Sequence, residues 1–136
     1  MWLNENSTKR EILNYIEIDP FSFLYNFSDK PWAQPYIDEA AKKVAIEEPF
    51  YFLLNFSDKP WAQLYLDKTA KIASGKHSYA FIRNFSDKPW SQPYMDEAVK
   101  LVAKKNTEYY LKHLADKFPQ GIDIALFTLG SENETI

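Results

Sequence analysis

A chain of 136 residues, 46% of them apolar, is long enough to bury one domain-sized core. Its formal net charge of −3 comes with both signs interspersed, and no basic stripe marks a nucleic-acid surface. There is no cysteine, which excludes disulfides and thiolate metal sites, and no apolar run reaches the ~18 residues of a membrane span; a natural chain of this kind is expected in the cytoplasm, with neither nucleic acid nor membrane as partner.

Residues 1–19 are expected to form an N-terminal cap. Asn6 or Ser7 is placed to cap a helix over about residues 8–17, with Ile12, Leu13 and Ile16 on one face. Trp2 is the one aromatic of the lead-in.

From Pro20 the chain repeats. The string Asn-Phe-Ser-Asp-Lys-Pro-Trp starts at Asn26, Asn55 and Asn84, a period of 29 residues. Phe23/Phe52/Phe81 precede it, and Gln34/Gln63/Gln92, Tyr36/Tyr65/Tyr94, Asp38/Asp67/Asp96 and Lys42/Lys71/Lys100 follow it. Twelve positions are therefore identical in the three copies, which span 20–48, 49–77 and 78–106. A fixed period in the range of about 20–50 residues is the mark of a stacked-repeat architecture.

Each copy predicts two helices. Pro20, Phe21, Phe23, Leu24 and Phe27 give a short apolar first helix, with the proline where a missing N–H costs nothing. Ser28-Asp29-Lys30-Pro31 reads as a turn in which Ser28 or Asp29 caps the second helix. Along that helix Trp32, Tyr36, Ile37, Ala40, Ala41 and Val44 fall on one stripe, and Asp38, Glu39, Lys42 and Lys43 face away. Pro35 leaves two starts open, a distorted turn from Lys30 or regular helix from near Gln34. Gly75 is expected to end the second helix of the second copy as a left-handed glycine.

Residues 107–130 read as a degenerate fourth copy and C-terminal cap. Tyr110, Leu111 and Leu114 take the apolar positions of a first helix, Asp116-Lys117 keeps the turn, and Ile122 to Leu129 is expected to form a shorter closing helix. Residues 131–136 are expected as a disordered tail. The sum is a single all-α domain over 1–136, an α-solenoid of about eight helices in antiparallel pairs. In helix-pair repetition alone it resembles the TPR and HEAT arrays, whose periods of about 34 and about 40 residues are longer.

The repeated polar residues argue against a reaction centre. Equivalent residues in stacked repeats stand roughly 8–10 Å apart, so Asp29, Asp58 and Asp87 would form a ladder too open to share a proton or a metal ion. A catalytic constellation needs unlike groups converging on one point. The two histidines, His77 and His113, lie in different copies, and three glycines leave no phosphate loop. The chain is accordingly expected to be no enzyme, with no catalytic residues, no cofactor and no metal.

The leading expectation is a non-catalytic scaffold that binds a protein or peptide along one face. Positions that differ between copies on the exposed side of the first helices would carry specificity: Tyr25/Leu54/Arg83 and Ser22/Tyr51/Ala80. Asn26, Asn55 and Asn84, beside the core phenylalanines, would satisfy helix-end carbonyls, bridge to the next repeat or offer an amide ladder to a peptide backbone. A second reading is a designed or computer-generated (de novo) chain with no evolved partner. A third is self-assembly through Trp2 at one end and Ile122 to Leu129 at the other. A monomer is expected in preference to a homo-oligomer.

Overall fold

The computed structural model describes residues 2–134, with side chains described through residue 130. The described residues form an all-α helical repeat fold of nine α-helices, one more than the count of about eight taken from the sequence. These are α1 (Lys9–Ile18), α2 (Pro20–Phe27), α3 (Ile37–Glu47), α4 (Pro49–Phe56), α5 (Gln63–Lys76), α6 (Ser78–Phe85), α7 (Gln92–Lys105), α8 (Thr107–His113) and α9 (Ile122–Glu134). Two compact units divide the chain, residues 1–69 and 70–136, and the division falls inside α5.

In the first unit α2 packs on α3, α1 packs against both, and α3 continues onto α4. Ile12 and Ile16 of α1, Phe23, Leu24 and Phe27 of α2, Ala40, Ala41 and Val44 of α3, and Phe52, Leu53 and Phe56 of α4 are buried at helical spacing. Leu3, which has no periodic neighbours in sequence, is also buried. The cap of α1 is Thr8, not Asn6 or Ser7. Thr8 Oγ1 accepts the Glu11 N–H at 3.2 Å while Glu11 Oε1 accepts the Thr8 N–H at 2.8 Å, a reciprocal capping box. Ser7 is used one step earlier, its hydroxyl accepting the Asn4 N–H at 2.9 Å.

In the second unit α7 is central, packed by α6, α8, α9 and the turn before α9. Phe81, Ile82, Phe85, Met95, Ala98, Val99, Val102, Ala103, Tyr110 and Ala125 fill its core.

One corner joins each longer helix to the short helix after it. A single residue, Asp19, Glu48, His77 or Asn106, takes φ between −147 and −129 and ψ between 52 and 74. Its N–H bonds back into the helix just ended, as His77 N does to Ala73 O at 2.8 Å, and the next helix starts at once. Gly75 is therefore not a left-handed terminator: α5 runs through it to Lys76, and no described residue has positive φ.

The second turn of each copy is a 3-10 segment. It spans Pro31–Tyr36, Pro60–Ala62 and Pro89–Ser91, with a related one at Pro119–Gly121. The lysine before each repeated proline is extended (φ −87 to −79, ψ 130 to 136), as a residue preceding proline must be. In the first copy the 3-10 turn carries on past Pro35 and regular helix begins at Ile37, whereas α5 and α7 begin at the glutamine. Both alternatives for the start of the second helix thus occur, in different copies.

The closing helix α9 does not stop at Gly130. It continues to Glu134, so the expected tail at 131–136 is helical over its first four residues, and 135–136 lie outside the described residues. No described helix is long and apolar enough to cross a membrane.

Candidate functional site

The aromatic and amide side chains of the repeat are engaged within their own copy. Phe27, Phe56 and Phe85 are buried, and the indole six residues before each second helix's charged face leans on them. Trp32 lies 5.4 Å from Phe27, Trp61 5.4 Å from Phe56 and Trp90 5.2 Å from Phe85, ring centre to ring centre. Each tryptophan is half-buried and also meets the preceding phenylalanine edge-on, at 6.1 to 6.5 Å. These are tilted and edge-to-face geometries, the favoured ones for aromatic pairs.

The turn has no side-chain cap from Ser28 or Asp29; its N-cap position is Lys30, whose own side chain makes no capping bond. The polar clamp is the glutamine. Gln34 Nε2 donates to Ser28 O (3.0 Å) and Lys30 O (2.8 Å). Gln63 does the same to Ser57 O (3.0 Å) and Lys59 O (2.9 Å), and Gln92 to Ser86 O (2.8 Å) and Lys88 O (3.0 Å). One primary amide has two hydrogens: one goes to the carbonyl at the end of the short helix, the other to the lysine carbonyl, which also accepts the N–H three residues on, as Lys30 O does from Ala33 N at 3.1 Å.

The asparagines are also committed. Asn26 Nδ2 donates to Ser22 O (2.9 Å), Asn55 Nδ2 to Tyr51 O (2.9 Å) and Asn84 Nδ2 to Ala80 O (2.8 Å), each one turn back in its own helix. They neither bridge repeats through these bonds nor cap a helix end.

The positions that differ between copies stand on the outer side. Ser22, Tyr25 and Asn26 share one face of α2, and Tyr51, Leu54 and Asn55 share one face of α4, by their spacing of three and four residues. Tyr25 is 66% exposed, Tyr51 55% and Leu54 49%. The two helices belong to the first unit and touch through Phe21 and Phe56, whose rings are 5.4 Å apart. Phe21 in turn stacks on Tyr25 at 6.0 Å, and Phe50 meets Tyr51 edge-on at 5.5 Å. Tyr25, Tyr51 and Leu54 are thus the exposed apolar side chains of these two outer faces, and each tyrosine rests against a phenylalanine ring. Ala80, Arg83 and Asn84 occupy the equivalent face of α6 in the second unit, where Arg83 and Asn84 are exposed and Ala80 is half-buried.

No protein-family model, curated protein or solved structure matches this chain.

Three features escaped the sequence. A cavity of about 270 Å³ in the first unit is lined by Ile46, Tyr65 and Thr69 and rimmed by Lys42 and Lys68. A larger open one, about 510 Å³, lies between Trp2, Asn26, Phe27 and Trp32, because the Trp2 ring folds back to 4.8 Å from Phe27. In the second unit the phenols of Tyr79 and Tyr109 share a hydrogen bond of 2.9 Å, which raises the Tyr109 pKa above its ordinary value, with partial burial adding to the effect. None of these has a local signature, since each joins residues far apart in the chain. Among the described residues no group of three or more His, Cys, Asp or Glu side chains is placed to hold a metal ion. Asp38 and Asp96 instead form exposed ion pairs with Lys42 (3.0 Å) and Lys100 (2.8 Å) on their own helices.

Proposed function

We propose that the chain is a non-catalytic helical-repeat scaffold, TPR-like in organisation, that binds a protein or peptide segment through the exposed Tyr25, Tyr51 and Leu54. The supporting observation is a division of labour. The invariant phenylalanines are buried and the invariant asparagines and glutamines are hydrogen-bonded within their own copy, while the varying positions Tyr25, Tyr51 and Leu54 present apolar groups to solvent. Tyrosine gives large contact area at low entropic cost, which suits it to an interface centre. None of the three is charged, so they favour an apolar or aromatic-rich segment. The test is a peptide array probed with the intact chain and with the triple variant Tyr25→Ala, Tyr51→Ala, Leu54→Ala. Peptides retained by the first and lost by the second support the reading; identical binding, or no binding by the intact chain, overturns it, and no binding favours a de novo chain without an evolved partner.

Self-assembly has one specific observation in its favour. Leu126 (56% exposed) and Phe127 (75% exposed) stand near the start of α9, where the three repeats carry Asp38-Glu39, Asp67-Lys68 and Asp96-Glu97. Trp2 is 65% exposed as well, yet its ring is already held by Phe27. Molar mass by light scattering over a wide concentration range separates the readings: a constant 16.0 kDa excludes assembly, and a mass that grows and is restored by Leu126→Glu with Phe127→Lys establishes it.

A further inference from the structure

We infer that Tyr79 and Tyr109 form a site of oxidative tyrosine coupling, at which a peroxide-driven one-electron oxidant joins α6 to α8 through a carbon–carbon bond between the two phenol rings.

The geometry carries this. The hydroxyls are 2.9 Å apart, and the ring centres 5.0 Å apart at an interplanar angle of 86°. Each ortho carbon is bonded to the carbon that bears its hydroxyl, so a direct contact of the two oxygens brings the ortho carbons of the two rings beside one another. Core packing does not account for the pair: Tyr79 is 38% exposed and Tyr109 36%. That exposure admits a small oxidant, and coupling then requires the rings to turn from the edge-on arrangement into the flatter one of a biaryl bond. Other exposed tyrosines lack such a partner at their ring. Tyr25 stacks on Phe21 and Tyr51 meets Phe50 edge-on, and neither phenylalanine has a phenol to couple with. Tyr110 is fully buried.

The sequence pattern isolates the pair further. Position 79 carries phenylalanine in the two earlier copies (Phe21 and Phe50), so the phenol at this place arises only where α8 supplies a second one. His113 lies 4.7 Å from the Tyr109 ring, and Arg83 is near enough to act on the Tyr109 phenol electrostatically, so the pair sits among side chains that tolerate transient charge.

The step balances. Each phenol loses one electron and its hydroxyl proton, giving a tyrosyl radical with spin on the oxygen and the ortho carbons. The radicals combine at one ortho carbon of each ring. Each of those carbons then loses its hydrogen as a proton, and each oxygen regains one, which restores both phenols. The net change is loss of two hydrogen atoms from the protein, and one hydrogen peroxide takes them up to become two waters.

The experiment treats the dilute, intact chain with hydrogen peroxide and a catalytic amount of haem peroxidase. The expected result is dityrosine fluorescence at monomeric size, an intact mass lower by two hydrogens, and a digest that contains one joined peptide pair bearing Tyr79 and Tyr109. Tyr79→Phe and Tyr109→Phe should each abolish the joined peptide, while Tyr15→Phe leaves its yield unchanged; circular dichroism confirms that each variant is folded. A joined pair drawn from other tyrosines, coupling that survives either of the first two substitutions, or coupling only between molecules would overturn the assignment.

Discussion

The hydroxyl of Tyr110 accepts the Gly121 N–H at 3.0 Å and donates to the Phe118 carbonyl, so one buried phenol pins the turn that leads into α9. In the three regular copies the corresponding first-helix position is phenylalanine, and the residue after the Pro-Trp pair is Ala33, Ala62 or Ser91. The fourth copy changes both together. A Cβ on Gly121 would meet the Tyr110 ring at 2.8 Å and the Ala103 Cβ at 2.8 Å, so the glycine is there for room, not for backbone freedom. Burial also pushes the Tyr110 phenol above its ordinary pKa, an effect partly offset by the Gly121 N–H.

Two substitutions follow from that relationship. Gly121→Ala should lower stability by about 1–3 kcal/mol through overpacking. Tyr110→Phe should cost about 1–3 kcal/mol by leaving buried backbone groups unpaired. Because both act on one contact, the double variant should cost less than their sum, with a coupling of about 0.5 kcal/mol or more. Urea unfolding of all four proteins checks this, and strict additivity would contradict it.

The glutamine clamp makes a sharper prediction from chemistry than from size. Gln63→Ala removes two exposed hydrogen bonds and should cost about 0.5–1.5 kcal/mol. Gln63→Glu should cost more than Gln63→Ala, because an ionised carboxylate has no hydrogen to donate and faces two carbonyl oxygens. Thermal unfolding at neutral pH ranks the two variants, and equal stability would remove the clamp from the account.

The four corner residues share a backbone shape but not a side-chain role. Asp19 accepts the Ser22 N–H at 3.1 Å and the Ser22 hydroxyl at 2.6 Å, whereas Asn106 makes no side-chain cap bond. Asp19→Ala should therefore cost about 1 kcal/mol, and Asn106→Ala clearly less. Chemical denaturation of the pair measures the difference.

The cap of α1 should depend on pH. The Thr8 N–H, and then the Thr8 hydroxyl, hold the Glu11 carboxyl below its ordinary pKa. A group whose pKa is lowered on folding contributes stability above its unfolded pKa and loses it as pH falls through the folded value. The first turn of α1 should therefore fray in acid, starting as pH drops below the ordinary carboxylate range. The Thr8 amide resonance reports this in a pH titration, and Glu11→Gln should flatten its curve.

The helices were legible because apolar spacing and proline punctuation are local. Phe23, Leu24 and Phe27 announce one buried stripe, and Pro31 announces the next start. The polar bonds were less so. Ser28 and Asp29 have the composition of caps, yet the extended Lys30 and the 3-10 turn put the carbonyls, not the N–H groups, within reach of a side chain six residues on, and Gln34 takes them. Gly75 misled for a related reason: a corner at His77 with negative φ needs no glycine. The outer positions were visible as variation between copies, but the contact between their helices was not, since Phe21 meets Phe56 across 35 positions of sequence. The tyrosine pair likewise depends on a contact thirty residues apart.

The central claim is that the repeated residues build the turn and the varying ones bind. The most direct measurement pairs peptide-array binding with unfolding of the variant Tyr25→Ala, Tyr51→Ala, Leu54→Ala. The account predicts that peptides bound by the intact chain are lost, while stability changes by no more than about 0.5 kcal/mol per exposed position. Unchanged peptide binding by the folded variant would contradict it.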